Sequence, residues 1–134
     1  MYEVTVYYSK DNVDKLLCES KPSVDIDSGY LMINCGKGQL FSLNIDTFLK
    51  VAIKYPLPDQ IPTFKYVVDI HYHSDTEDVE LLFSPNSISV DAKGTEQKMV
   101  FVKEGDNLVR VINGTKLRSV KVSSYSEVNL VKDL

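Results

Sequence analysis

The residues best placed for chemistry stand in one short run, Asp69-Ile70-His71-Tyr72-His73-Ser74-Asp75. In an extended chain alternate side chains point the same way, so Asp69, His71, His73 and Asp75 would share the polar face of one strand. Two imidazoles at i and i+2 can enter the coordination shell of one metal, with a carboxylate completing it or orienting a ring. The chain holds two histidines in all, so a third ligand would have to come from Glu77, Asp78, Glu80 or a thiol. A solvent-facing histidine pair on an amphipathic strand explains the same spacing, and no metal or other cofactor is expected.

Other catalytic patterns are weaker still. There is no Gly-x-Ser-x-Gly elbow, and Cys18 or Cys35 would act as a nucleophile only if the fold brought a histidine alongside. Both cysteines read as reduced thiols buried as small hydrophobes, with a bridge between them open if the protein is exported. Cys35-Gly36-Lys37-Gly38 lacks the glycine spacing and the following helix that aim amides at a phosphate. These absences weigh against an enzyme.

Charge narrows the partners. The net charge is −4, and residues 66–92 contain six Asp/Glu and no Lys or Arg. An acidic chain without a clustered basic face is unsuited to nucleic acid. The start, MYEVTVYYSKD, has neither the basic residues nor the apolar run of a secretory signal, and no stretch is apolar enough to cross a membrane as a helix. The expectation is a cytoplasmic, soluble protein.

The elements that must position these residues announce themselves by a period of two. Tyr2, Val4, Val6 and Tyr8 take every second place, as do Tyr66, Val68, Ile70 and Tyr72. Such alternation predicts strands with one buried and one wet face. Residues 30–35 and 40–45 form a hairpin around Gly36-Lys37-Gly38, with Leu31, Ile33 and Cys35 inward on one strand and Phe41, Leu43 and Ile45 on the other. Val13, Leu16 and Leu17 share a helical face, so 9–19 is the best helix candidate. Leu49, Val51, Ile53 and Tyr55 alternate with Lys50, Ala52 and Lys54, which favours a strand. The segment 55–63 holds Pro56, Pro58 and Pro62 and reads as a crossover between sheets, with a proline-groove ligand as the functional alternative.

Seven further strands are expected, at 63–73, 79–83, 87–92, 98–103, 107–113, 115–123 and 127–131. Asn113-Gly114 reads as a tight type I′ hairpin, and Asn113-Gly114-Thr115 as a turn despite matching a glycosylation acceptor. Leu117 is out of phase with Val120 and Val122 unless a bulge lies near Arg118-Ser119. The fold class is therefore all-β: a single domain over residues 1–134, an antiparallel β-sandwich or flattened barrel of about ten short strands with one or two short helices at most.

A well-specified sheet with sparse reactive groups points to a non-catalytic protein-interaction or assembly module. Its expected contact surface is the acidic face or edge formed by Asp69, His71, His73, Asp75, Glu77, Asp78 and Glu80, where charge can steer a protein partner. Two alternatives remain: a small-molecule or metal-binding β-barrel using His71 and His73, and a structural subunit of a homo-oligomeric assembly.

Overall fold

The computed structural model of the chain describes residues 1–60, 62–73 and 79–124. The strand expected at 127–131 and the site residues Asp75, Glu77 and Asp78 lie outside the described residues. Twelve strands are described: β1 (Tyr2–Tyr7), β2 (Val13–Cys18), β3 (Ser23–Asp27), β4 (Tyr30–Gly36), β5 (Gln39–Asn44), β6 (Lys50–Lys54), β7 (Tyr66–Tyr72), β8 (Val79–Ser84), β9 (Ile88–Lys93), β10 (Met99–Glu104), β11 (Asn107–Asn113) and β12 (Leu117–Ser124). Single 3-10 turns at Ile45–Thr47, Thr95–Gln97 and Gly114–Lys116 are the only helical elements described. The chain is all-β, as its alternation requires.

The strands form three antiparallel sheets: a central six-stranded sheet, β2-β1-β6-β11-β10-β9, and two three-stranded sheets, β3-β4-β5 and β12-β7-β8. The central sheet buries side chains on both faces. Val4, Val6, Val51, Ile53, Phe101 and Val111 pack on one side with Leu31, Ile33, Cys35 and Leu43 of the β3-β4-β5 sheet. Val102 and Ile112, one residue out of phase with Phe101 and Val111, pack on the other with Val68, Ile70 and Tyr72 of the β12-β7-β8 sheet. Opposite phases on one strand are what a pleated sheet covered from both sides demands.

Residues 9–19 are not a helix. Asn12 closes a tight turn, its carbonyl accepting from the Tyr8 N–H at 2.9 Å while its own N–H is donated to Ser9 Oγ at 3.2 Å. β2 then pairs antiparallel with β1 from Tyr2↔Cys18 to Tyr7↔Val13. Leu16 and Cys18, two apart, turn into the core while Leu17 stays 58 % exposed, so the period of two wins over the helical face shared by Val13, Leu16 and Leu17. The strand partner decides it, because a short segment has too little helical propensity to resist pairing.

Asn113-Gly114 is likewise no type I′ hairpin, since Asn113 has φ −68° and a 3-10 turn follows. Strands β11 and β12 belong to different sheets, and this corner carries the chain between them. The Asn113 amide donates to the carbonyls of Ile45 (2.6 Å) and Phe48 (2.9 Å), and its Oδ1 accepts from the Thr115 N–H (3.0 Å). A Cβ at Gly114 would stand 2.7 Å from the Lys98 carbonyl oxygen, so glycine is required there by close approach. One other expectation holds: the register shifts between Leu117 and Ser119. The proline segment lies between β6 of the central sheet and β7 of an outer one.

Candidate functional site

The expected polar face of β7 divides between two environments. Asp69 and His71 point outward, Asp69 across from Lys121 and Leu81, His71 across from Ser119 and Val79. His73 lies beyond the last residue of β7, its N–H donated to the Lys116 carbonyl at 3.0 Å. Among the described residues no group of three or more His, Cys, Asp or Glu is arranged to hold a metal ion. Glu80 alternates out of phase with its exposed neighbours Val79 and Leu81 and faces the central sheet.

There Glu80 is the centre of an internal ionic cluster. Its Oε2 accepts from Arg110 Nε (3.3 Å) and Nη2 (3.1 Å), while Oε1 lies 3.2 Å from Lys50 Nζ and accepts from the Tyr72 hydroxyl at 2.8 Å. The Lys50 ammonium also stands 4.8 Å from the ring centroid of Tyr7 and 4.9 Å from that of Tyr72. Its side chain is only 3 % exposed, which is tolerable for a cation because carboxylate and ring faces replace water. Burial alone would push the Glu80 pKa up, but the Arg110 and Lys50 charges and the hydrogen bonds from Arg110 and Tyr72 outweigh it and hold the carboxyl below its usual range. Glu80 is therefore spoken for inside the fold and adds little negative charge to the outer face.

Beside this cluster the β12-β7-β8 sheet stops short of the central sheet's edge. Val13 and Leu17 of β2, on the same face as Thr5 and Tyr7, remain 36 % and 58 % exposed. The edge of β8, next to which no further strand is described, borders this side of the central sheet, where Leu82, Phe83 and Ser84 share a cavity with Glu3, Thr5, Tyr7 and Lys15. The step between them is a cavity of about 480 Å³, floored by Glu3, Thr5, Tyr7, Ala52 and Lys54 and walled by Leu82, Phe83 and Ser84. Glu3 is held by Lys15 at 3.5 Å, and Arg110 by Glu80, so much of the lining charge is already neutralised.

At its Phe83 end the slot continues into a second groove of about 600 Å³, the two sharing Tyr55, Leu57, Phe83 and Glu104. Pro56, Pro58, Pro62, Phe64 and Pro85 complete its mainly apolar wall. Phe64 and Phe83 meet with ring centroids 6.0 Å apart, and Leu57 is 83 % exposed. The Tyr55 hydroxyl donates to the Leu108 carbonyl at 2.9 Å, fixing the start of the crossover against β11. Burial is the main cause that raises the Tyr55 pKa, with the Tyr2 and Glu104 charges adding to it.

On the outer face of β8, Val79, Leu81 and Phe83 form a row that is 47 %, 53 % and 46 % exposed. No charged residue interrupts that row. Other sheet edges are protected in the usual way, by Asp14 and Lys15 on β2, Asp25 and Asp27 on β3, Asp91 and Lys93 on β9, and Arg118 and Lys121 on β12. The edge strand β5 has no charge either, but Ser42 and Asn44 follow its exposed Leu40 along the same face.

Sequence reasoning found the β7–β8 neighbourhood but missed the features that shape it. Lys50 looked like an ordinary polar-face lysine, and only the partner strand shows that this face is buried. The one sequence signal for the cluster was the phase of Glu80, which shares a face with Leu82 and not with Leu81. The prolines read as a connection and turn out also to form the wall of a groove. Comparison with protein-family models, with curated proteins and with solved structures returned no match for this chain.

Proposed function

We propose that this chain is a non-catalytic protein-interaction module that takes an extended segment of another protein as a fourth strand beside β8. The observation that carries the reading is an edge strand with an uncharged, exposed apolar row, standing over a slot already floored by the central sheet. An added strand satisfies the backbone groups of β8, and its outward side chains extend the row Val79, Leu81 and Phe83. Its inward side chains meet Thr5, Ala52 and Lys54, which favours small or polar residues there.

The slot suits a single strand better than a second copy of the whole chain. Antiparallel pairing of β8 with the β8 of a copy would keep both central sheets on one side of the joined sheet, where their β1–β2 ledges would collide. Asp69 and His71 flank the apolar row and contribute a polar rim, as protein interfaces commonly have.

A lysine placed in the row tests the reading, because edge lysines are the natural device against strand addition. Leu81→Lys is expected to abolish capture of the partner from native lysate while leaving the far-ultraviolet circular dichroism unchanged. Leu40→Lys, on the edge strand β5, is expected to capture as the unmodified chain does. Equal capture by all three proteins would remove β8 as the interface.

A further inference from the structure

The groove beyond Phe83 has a chemistry of its own, and we propose that it reads a basic and aromatic pair immediately preceding the bound strand of the partner. This rests on the strand-addition reading and adds the direction and side chains of the segment. The lining of the groove is prolines, Leu57, Phe64, Tyr55 and Phe83, with two asparagines and a single charged residue, Glu104. Concave walls of proline and aromatic rings lose little conformational entropy on contact and favour a flat or bulky apolar side chain.

Glu104 sets the charge. The Asn86 amide donates to its Oε1 at 3.4 Å, and no lysine or arginine among the described residues forms an ion pair with it. Lys21 borders the same region, but its ammonium donates to Asn107 Oδ1 at 2.9 Å and lies 5.8 Å from the centre of the Tyr55 ring. Glu104 lines the slot as well as the groove, so a cation there sits where the strand enters. A lysine or arginine of the ligand supplies the missing counter-charge in a partly desolvated place, where charge complementarity acts most on selectivity.

Direction follows from the sheet. Every described strand pair is antiparallel, and a strand added antiparallel to β8 begins at the C-terminal end of β8, beside Phe83 and Ser84. The groove opens at that end, so the anchoring pair precedes the strand in sequence.

Three acetylated peptides test this on the full chain: an alternating Thr-Val strand alone, the same strand preceded by Trp-Lys, and the same strand followed by Lys-Trp. The chain contains no tryptophan, so peptide emission reports binding directly, and the strand alone is measured by competition. The Trp-Lys-first peptide is expected to bind about tenfold more tightly than the others, with a blue-shifted emission. Glu104→Gln and the surface change Leu57→Ser are each expected to erase most of that advantage.

Equal binding of the two anchored peptides, or an advantage unaffected by either substitution, would overturn the proposal. Failure of all three peptides would overturn it too. If Leu81-dependent capture from lysate persists in that case, strand addition stands without the anchor, and if capture is lost as well, both readings fall.

Discussion

One face of the central sheet is dry and closed, and the other is ionic and stepped. Against β3-β4-β5, the packed residues are aliphatic, aromatic or thiol, from Val4 and Val51 to Leu31, Ile33, Cys18 and Cys35, all nearly inaccessible. Against β12-β7-β8, the packing surrounds Lys50, Glu80 and Arg110 and ends at a ledge beside β8. The same pleated strands present both faces, so the difference comes from what covers them. Hydrophobic burial is indifferent to direction, whereas a buried ion cluster demands one geometry and leaves polar groups at its margin. The face that carries the cluster is also the face with an unfinished edge.

The largest expected effect is from breaking the cluster. Glu80→Ala leaves two cations facing each other in a largely buried place and is expected to cost roughly 3–5 kcal/mol in urea unfolding. Replacing the trio together, Lys50→Met, Glu80→Leu and Arg110→Met, is expected to cost far less or even stabilise, because no charge is then left unpaired. A triple variant as unstable as Glu80→Ala would mean that this face is held by more than charge compensation.

Acid sharpens the contrast in a second way. The Glu80 carboxyl titrates below its usual range in the folded protein, so the unfolded chain takes up its proton first as pH falls. Its contribution to stability is present above the pKa of the unfolded state and is lost as pH drops through the lower, folded value. Stability of the unmodified chain should therefore fall more steeply across the acid range than that of Glu80→Gln. Parallel acid limbs in denaturant titrations would show that Glu80 is not held as described.

On the dry face, Ile33→Val removes one methylene from a side chain with no exposure and is expected to cost about 1 kcal/mol with no pH dependence. The smallest effect concerns the thiols. Burial, with the neighbouring Cys18 thiol, pushes the Cys35 pKa up to about 12. Neither cysteine of the native chain should be alkylated by iodoacetamide at neutral pH, and both should react after unfolding. Rapid native labelling would show that this face opens readily.

How much of this could be read from the residues alone varies with the range of the interaction. The alternation Tyr66, Val68, Ile70, Tyr72 and the turn Gly36-Lys37-Gly38 specify strand and hairpin locally, and both appear in the fold. Even the bulge in β12 was legible, since Leu117 and Val120 can share a face in no other way. Residues 9–19 and Asn113-Gly114 misled because β2 answers to its partner β1, and Asn113 to carbonyls of residues 45 and 48. Asp69 and His71 were placed on an outer face and are there, but Glu80 was grouped with them although its phase turns it inward.

By itself the order of residues determined that the chain would pleat, where it would turn and which side chains of each strand would seek a core. A period of two is a property of the backbone and needs no distant partner to be expressed. Only the tertiary structure decided that the central sheet is covered twice, that Lys50 is buried against Glu80, and that β8 overlooks a slot. Those outcomes depend on which sheet lies over which, and that is set by contacts between residues far apart in the chain, such as Arg110 and Glu80, whose pairing leaves no local trace.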